Sequence, residues 1–449
     1  MTRTRLASAI TLFIAFQATY IQAEPVELTP WGAQVSGNAE GTIPAYTGGI
    51  TPPSSYDPAS PGFRPDPFAD EQPYLVIDAS NYQEHAEHLS EGVKAMFERY
   101  PSFSMQVYPS HRTARYPDYL IERMNRNAEQ CELIDDGLRL QNCWAAIPFP
   151  QPKNGNQAMW NRVFKFEQHA FKADDAMTTV VDARGGKTDT SGWAHWAQYP
   201  LFDPELNQPM AGNEIYEMHR GDYYAPTRKS GEKMLLTDSV DMVNVGRRAW
   251  QYLPGQRRVK LAPDIGYDAP SLTGAGIGTL DDAYLFYGPL DRFDFELVGK
   301  KEIYIPYNTF KLQDPEACSR DVVLTPHHLN PDCVRWELHR VWVIEGTRKA
   351  GVRHLYSRRT MYFDEDLWGA GLSESYDTAG AIYRVNMSHP FPLYETDGHI
   401  SSEFATYDLS AGAYVRQTYS TGQRGGWQVV EAKSRRHYTP EALSASGIR

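Results

Sequence analysis

The stretch from Trp336 to Asp366, WELHRVWVIEGTRKAGVRHLYSRRTMYFDED, constrains the fold more than any other part of the chain. It predicts two long strands that are joined by a short turn at Arg348–Gly351. Successive strand side chains point to opposite faces, so each face here carries aromatic side chains mixed with charged ones. Because neither face is uniformly apolar or polar, we expect a large curved sheet that lines a cavity.

The remainder of the chain supports an α+β fold. A repeat of two residues, typical of strands, runs through most of residues 172–449, and its short connections favour an antiparallel meander. Residues 76–171 are predicted to be mainly helical, with helices over Ser80–Tyr100, Asp118–Ala128 and Gln157–Phe171. We expect residues 76–449 to form a single domain, preceded by an arm rich in proline and glycine at 24–75.

The first 23 residues have the pattern of a cleavable signal peptide. Arg3 and Arg5 precede the apolar run Leu6–Phe16, and a cleavage site follows that ends at Ala23. No cysteine lies near this site, which excludes a lipid anchor on a mature N-terminal cysteine. We therefore expect an exported, soluble protein.

The cysteine count fits an oxidising compartment. The chain has four cysteines, Cys131, Cys143, Cys318 and Cys333. Three disulfide connectivities are possible, and pairing between sequence neighbours is the simplest of them. Each local bond would contribute roughly 3 kcal/mol in the chain-entropy model. A metal site is not expected, because the closely spaced C-x-x-C pattern is absent.

Charge and motifs exclude several functions. Without residues 1–23, which carry two positive charges and no negative one, the formal net charge of −12 becomes −14, so nucleic acid is not an expected partner. The hydrolase motifs G-x-S-x-G and H-E-x-x-H are absent. Gly274–Gly278 lacks the strand and helix that a dinucleotide loop requires. We expect no cofactor, and the best-placed acids for an alternative hydrolase are at Asp364–Asp366.

Several long motifs of the chain are distinctive. They are LTPWGAQVSGNAEGTIPAYTGG (28–49), YPSHRTARYP (108–117), IPFPQPKNG (147–155), WQYLPGQRRVKLAP (250–263), GPLDRFDFELVGKKEIYIPYN (288–308), NPDCVRWELHRVWVIEGT (330–347) and RHLYSRRTMYFDEDLW (353–368). Together they resemble the domain of unknown function 1329 family, whose members are exported proteobacterial proteins related in fold to the lipoprotein carriers LolA and LolB.

The resemblance implies a half-barrel of antiparallel strands with helices packed over its open side. In the carriers, that space receives lipid acyl chains. Similar proteins are often encoded near efflux-type inner-membrane transporters and outer-membrane proteins, which suggests such partners here. The family supplies no catalytic residues.

We therefore expect a periplasmic binding or carrier protein for a hydrophobic, lipid-like ligand, and not an enzyme. The alternatives are a secreted hydrolase that uses acidic residues and an interaction module of the cell envelope that binds no ligand. Arginines of the central hairpin would form cross-strand ion pairs or hold an anionic headgroup. The residues expected to line the cavity are Trp250, Tyr252, Trp342, Ile344, Tyr356, Tyr362 and Tyr383.

Overall fold

The computed structural model describes residues 26–262, 265–271 and 273–446. The predicted signal peptide, residues 1–23, lies outside the described residues. Within the described part of the chain, none of the helices combines the length and the apolar composition needed to cross a membrane.

Strands dominate the described residues. The strands are β1 Leu75–Asp78, β2 Ser104–Val107, β3 Glu132–Ile134, β4 Arg139–Gln141, β5 Ala170–Val181, β6 Lys187–Gln198, β7 Ile215–Ala225, β8 Lys233–Ser239, β9 Arg247–Leu253, β10 Arg258–Leu261, β11 Phe293–Pro306, β12 Arg335–Arg348, β13 Arg358–Asp364, β14 Gly371–Tyr376, β15 Ile382–Ser388, β16 Phe391–Leu393, β17 Gly398–Ile400, β18 Phe404–Asp408, β19 Ala413–Ser420 and β20 Trp427–Val429. The α-helices are α1 Glu91–Arg99, α2 Asp118–Gln130, α3 Gly155–Val163, α4 Arg320–Val323 and α5 Pro440–Ser446.

One large open sheet organises the fold. Its strands follow the order β1-β2-β12-β13-β14-β15-β18-β19-β5-β6-β7-β8-β9-β10, with β11 paired to β12 and β20 paired to β5. Pairing is antiparallel throughout this sheet, apart from a short parallel contact between β2 and β12. The predicted α+β class, with a large antiparallel sheet and few helices, is confirmed.

The central hairpin lies inside the sheet, as its neighbours in the sequence indicated. β12 pairs with β11 along one edge and with β13 along the other. The connection between β12 and β13 is longer than the predicted short turn, because residues 349–357 form a loop. His354 and Tyr356, which we expected within the second strand, therefore lie before it.

The predicted first helix is divided into two pieces. Residues Tyr82–His88 form a 3₁₀ helix, Leu89 is extended, and α1 begins after Ser90. The Ser90 hydroxyl accepts a hydrogen bond from the Val93 amide, so Ser90 caps the N-terminus of α1. Region 76–171 also holds four short strands beside its helices: β1 and β2 complete one end of the large sheet, and β3 and β4 form a separate two-stranded sheet.

Two disulfides close local loops, as the simplest pairing predicted. Cys131 is bonded to Cys143, and Cys318 is bonded to Cys333. Hydrophobic core residues lie on both sides of the sheet. On one side, α1 covers Val385 and Leu372; on the other, α3 packs with Ile344 and Phe363.

Candidate functional site

A narrow pocket of about 100 Å³ lies against strands β6, β7 and β8. We call it the aromatic pocket. Residues 273–292, which we call the covering segment, close it from the opposite side. The wall of the aromatic pocket includes Trp193, His195, His219, Tyr223, Met234, Leu236, Arg247, Ala283, Tyr284, Tyr287 and Phe404. Most of these side chains are buried.

Strand alternation builds the aromatic wall. Trp193 and His195 on β6 point to the same face as His219 and Tyr223 on β7. The Trp193 ring stacks on His195 at 4.7 Å and on Tyr223 at 5.5 Å between ring centroids. Gly221 makes room for this arrangement, because a Cβ there would lie 2.1 Å from Trp193 Cε3. The result is a flat, apolar surface with imidazole nitrogens at one end.

A buried hydrogen-bond chain runs behind this wall. His195 Nε2 lies 2.9 Å from His219 Nδ1, and His219 Nε2 lies 2.6 Å from a Glu217 carboxylate oxygen. The Tyr199 hydroxyl donates to Glu217 at 3.0 Å and lies 3.4 Å from Glu167. The chain connects the pocket wall to ionised groups deeper in the core.

Glu167 is ionised despite its burial. Burial alone would raise its pKa, but Lys165 at 3.4 Å and hydroxyl groups of Ser401 and Ser402 lower the pKa to about 2. A fixed negative charge therefore lies close to the pocket, and it is balanced by a cation in the same core.

Buried ion pairs anchor the covering segment to the sheet. Asp281 accepts a hydrogen bond from His354 at 2.8 Å and lies 3.2 Å from Arg359. Asp282 accepts hydrogen bonds from Arg359 at 3.0 Å and from the Tyr356 hydroxyl at 2.5 Å. Charge-assisted bonds of this kind are stronger than neutral ones. The segment is also held on the other side of the pocket, where the Tyr287 hydroxyl donates to Asp238 on β8 at 2.7 Å and Arg162 donates to the Tyr284 carbonyl.

Three of the residues predicted to line a cavity lie on the face of the sheet opposite the aromatic pocket. Trp250 and Tyr252 pack with Leu443 of α5, and Tyr252 is 1% exposed. On the same side of the sheet, Tyr362 lies in the core beneath α1. Its neighbour on each side in β13 points to the pocket side, so a shift of one residue separates the predicted face from the observed one.

The other four predicted residues lie on the pocket side of the sheet or at the edge of the sheet, but they do not line the pocket. Ile344 is packed in the core near α3, and Trp342 stacks on Trp368 at 6.3 Å. The Tyr356 hydroxyl donates to Asp282, and the ring centroids of Tyr356 and Tyr383 lie 6.2 Å apart. The seven predicted residues therefore do not meet on one surface.

The residues of the pocket wall escaped the sequence interpretation. The signal in the sequence was the spacing of Trp193 and His195 on β6 and of His219 and Tyr223 on β7, since residues an even number apart share one face of a strand. These two strands pair directly. Each histidine alone is unremarkable in sequence, and only strand pairing brings the two within hydrogen-bond distance.

The acids Asp364–Asp366 are engaged in the core. Asp364 lies 3.5 Å from His339, Glu365 lies 3.1 Å from Arg340, and Asp366 lies 2.7 Å from Arg112. All three carboxylates are buried. In the described residues, no group of three or more His, Cys, Asp or Glu side chains is arranged to hold a metal ion.

One hairpin arginine forms a cross-strand ion pair, the first of the two predicted roles, and others form ion pairs in the core. Arg358 lies 3.5 Å from Glu345 on β12, and Arg340 pairs with Glu365. Arg359 reaches the covering segment instead. These contacts account for three of the arginines without a ligand.

A second, larger space lies between the N-terminal arm and the body. This groove measures about 930 Å³, and its wall includes Arg64, Phe68, Tyr108, Phe310 and Arg335. Its wall contains both charged and apolar side chains, and Arg335 is already paired with Glu71. The aromatic pocket is the better match to an apolar ligand, because such sites combine hydrophobic walls with a few polar groups.

The fold and the site together define an α+β protein with a pocket on one face of a large open antiparallel sheet. The chain belongs to the family described as protein of unknown function (DUF1329), whose model matches residues 76–444. An uncharacterized protein of Pseudomonas aeruginosa is 35% identical over 426 residues, which cover 94% of this chain and 92% of that protein. The resemblance seen in the sequence motifs is thereby confirmed.

Three solved structures are similar to this chain at low identity. A DUF1329 family protein from Desulfovibrio piger is 13% identical, with a TM-score of 0.40, and the match covers 62% of this chain and 92% of that one. A putative outer membrane lipoprotein-sorting protein domain from Vibrio parahaemolyticus is 12% identical, with a TM-score of 0.42, and the match covers 65% of this chain and 98% of that one. A LolA superfamily protein from Nitrosomonas europaea is 12% identical, with a TM-score of 0.36, and the match covers 62% of this chain and 93% of that one.

Proposed function

We propose that this protein binds a hydrophobic, lipid-like molecule in the aromatic pocket and carries it through the periplasm. The observation that supports this most is the aromatic wall on β6 and β7 beneath a separately anchored covering segment. Burial of apolar surface contributes about 25 cal/mol per Å², so aromatic walls are a strong source of affinity. The protein acts as a carrier and not as an enzyme in this proposal.

Binding requires the covering segment to move. A volume of about 100 Å³ corresponds to roughly three water molecules, whereas sites for small ligands usually measure about 300–1,000 Å³. Asp281 and Asp282 anchor one side of the segment. Movement away from β6–β8 while these anchors hold requires the hydrogen bond from Tyr287 to Asp238 on β8 to break. A ligand that binds the open form better will shift the population towards it.

Cellular location and partners belong to the same proposal. The two disulfides suit an oxidising compartment such as the periplasm. The signal-peptide pattern at residues 1–23 agrees with export. An efflux-type inner-membrane transporter and an outer-membrane protein are the proposed partners for loading and release of the hydrophobic cargo.

Filling the pocket is expected to abolish most binding. Ala283 lies on the covering segment and lines the pocket, so Ala283→Phe places a ring in the space without altering the sheet. We expect affinity for a fluorescent fatty-acid probe to fall about tenfold or more, a loss of about 1.4 kcal/mol or more, because the ring occupies space that the probe needs. Probe titration, followed by native mass spectrometry of protein purified from its own periplasm, measures the effect.

The matched control is Ala379→Phe. Ala379 is exposed in the turn between β14 and β15, far in sequence from the pocket, and its substitution should leave probe affinity unchanged. Equal affinity in both variants would place the probe elsewhere. If the wild-type protein binds no probe and yields no copurified lipid, the carrier proposal is wrong.

A further inference from the structure

Three residues of the pocket wall carry buried polar atoms that have no hydrogen-bond partner among the described residues. These atoms are His195 Nδ1, Trp193 Nε1 and Arg247 Nη1. All three residues line the aromatic pocket. A buried polar group without a partner typically costs about 1–3 kcal/mol. A single ligand group that enters this space can supply partners for all three atoms.

The hydrogen-bond chain determines which atoms of the histidines carry protons. An ionised Glu217 can only accept, so His219 Nε2 is the donor in the 2.6 Å contact between them. His219 Nδ1 is then an acceptor when the ring is neutral, and His195 Nε2 donates to it at 2.9 Å. With its one proton on Nε2, a neutral His195 presents Nδ1 as an acceptor.

Charge balance supports this protonation state. Arg162 and Lys165 supply two positive charges near the two carboxylates of Glu167 and Glu217, and all four side chains are buried. The group is therefore neutral overall when both histidines are neutral. Burial and the neighbouring His219 also lower the pKa of His195 well below its ordinary value.

Arg247 supplies the opposite type of group. Its Nε and Nη2 donate to the Asp238 carboxylate at 2.9 Å and 3.1 Å. The guanidinium lies 3.9 Å from the centroid of the Tyr287 ring, and Tyr287 donates to the same carboxylate at 2.7 Å. These contacts fix the guanidinium and leave Nη1 as a donor. Asp238 already neutralises its charge, so an anionic ligand would bring an unbalanced charge into the pocket.

We propose that the ligand carries an uncharged hydroxyl group, as an alcohol or a phenol does, and places it in the aromatic pocket. The hydroxyl hydrogen bonds to His195 Nδ1, and its oxygen accepts from Arg247 Nη1 or Trp193 Nε1. One group that is both donor and acceptor thus satisfies both kinds of unpaired atom. This proposal rests on the proposed function, because it concerns the ligand of that same pocket.

Three ligands of equal chain length test the proposal. Dodecan-1-ol, its methyl ether and dodecanoate at pH 8 are titrated against a bound fluorescent probe. The alcohol is expected to bind about tenfold more tightly than the ether, since a site built for a hydroxyl rejects an analogue that leaves buried groups unpaired. It is also expected to bind more tightly than the carboxylate anion.

The variant His195→Phe removes the acceptor and keeps a ring in the aromatic stack. It is expected to bind alcohol and ether with nearly equal affinity. His389→Phe is the matched control: His389 is also buried, its two ring nitrogens lack hydrogen-bond partners among the described residues, and it does not line the pocket. This variant should retain the tenfold preference, and melting curves of both variants confirm that they are folded.

The outcomes separate this proposal from the proposed function. Equal binding of alcohol and ether by the wild type would overturn the hydroxyl assignment while leaving a hydrophobic carrier intact. Tighter binding of dodecanoate than of the alcohol would overturn the assignment of an uncharged group. A preference that survives in His195→Phe but is lost in His389→Phe would place the hydroxyl elsewhere. If none of the three ligands displaces the probe, the hydroxyl assignment also fails, and absence of probe binding itself rejects the carrier.

Discussion

Replacing Arg112 by alanine is expected to lower the free energy of unfolding by about 3–5 kcal/mol, because it leaves a buried carboxylate without its partner. Arg112 donates to both oxygens of Asp366, at 2.7 Å and 2.9 Å. It also donates to the Gln34 carbonyl at 2.7 Å, which ties the N-terminal arm to the centre of the sheet. Urea unfolding followed by tryptophan fluorescence measures the loss.

Arg115→Ala is the matched control for Arg112→Ala. Arg115 lies three residues further along the same segment and pairs with Asp397, but both side chains are about one-third exposed. Exposed pairs contribute about 0–1 kcal/mol, so this variant should unfold nearly like the wild type. Similar losses in the two variants would show that burial of the Asp366 pair has no special weight. Limited proteolysis should also cut the arm sooner in Arg112→Ala only.

A second large effect is expected from His339 as pH rises. Burial alone would lower its pKa, but Asp364 at 3.5 Å and Glu337 at 3.1 Å raise the pKa to about 9. A raised pKa stabilises the folded protein fully below about 6.5, and that stabilisation is lost as pH rises through about 9. The shift corresponds to about 3 kcal/mol.

The variant His339→Gln removes this titration. We expect it to be less stable than the wild type at pH 6, by about 3 kcal/mol, and the difference to shrink between pH 7 and pH 10. His389→Gln is the control, because burial lowers the pKa of His389 to about 3 and it does not titrate in this range. Its difference from the wild type should stay constant. A difference for His339→Gln that does not change with pH would contradict a protonated His339.

The stabilising role of these groups explains part of the sequence pattern. Mixed charged and aromatic residues in the central hairpin looked like the wall of a cavity. Glu337, His339 and Arg340 are instead fully engaged in buried ion pairs within the sheet and beneath the arm. A buried polar cluster and a polar cavity wall give the same alternation of charged and aromatic residues in the sequence. The two can be told apart only when the ion-pair partners from elsewhere in the chain are known.

Local rules in the sequence sufficed for several features. The repeat of two residues predicted a large antiparallel sheet, and the spacing of Cys131–Cys143 and Cys318–Cys333 favoured the observed disulfides. Long motifs around Arg353–Trp368 indicated the family. These features depend on residues close together in the chain, where spacing alone carries the physical information.

Only the tertiary structure decided where the pocket lies. A one-residue difference in register places Trp250 and Tyr252 under α5 instead of on the pocket side, because successive strand residues face opposite ways. His195 and His219 meet only through the pairing of β6 with β7. The covering segment has no period of its own, and its position follows from Asp281 and Asp282 reaching arginines on β13 and β15. Such contacts join residues that are far apart in the chain, and the local sequence around one residue does not identify its partner.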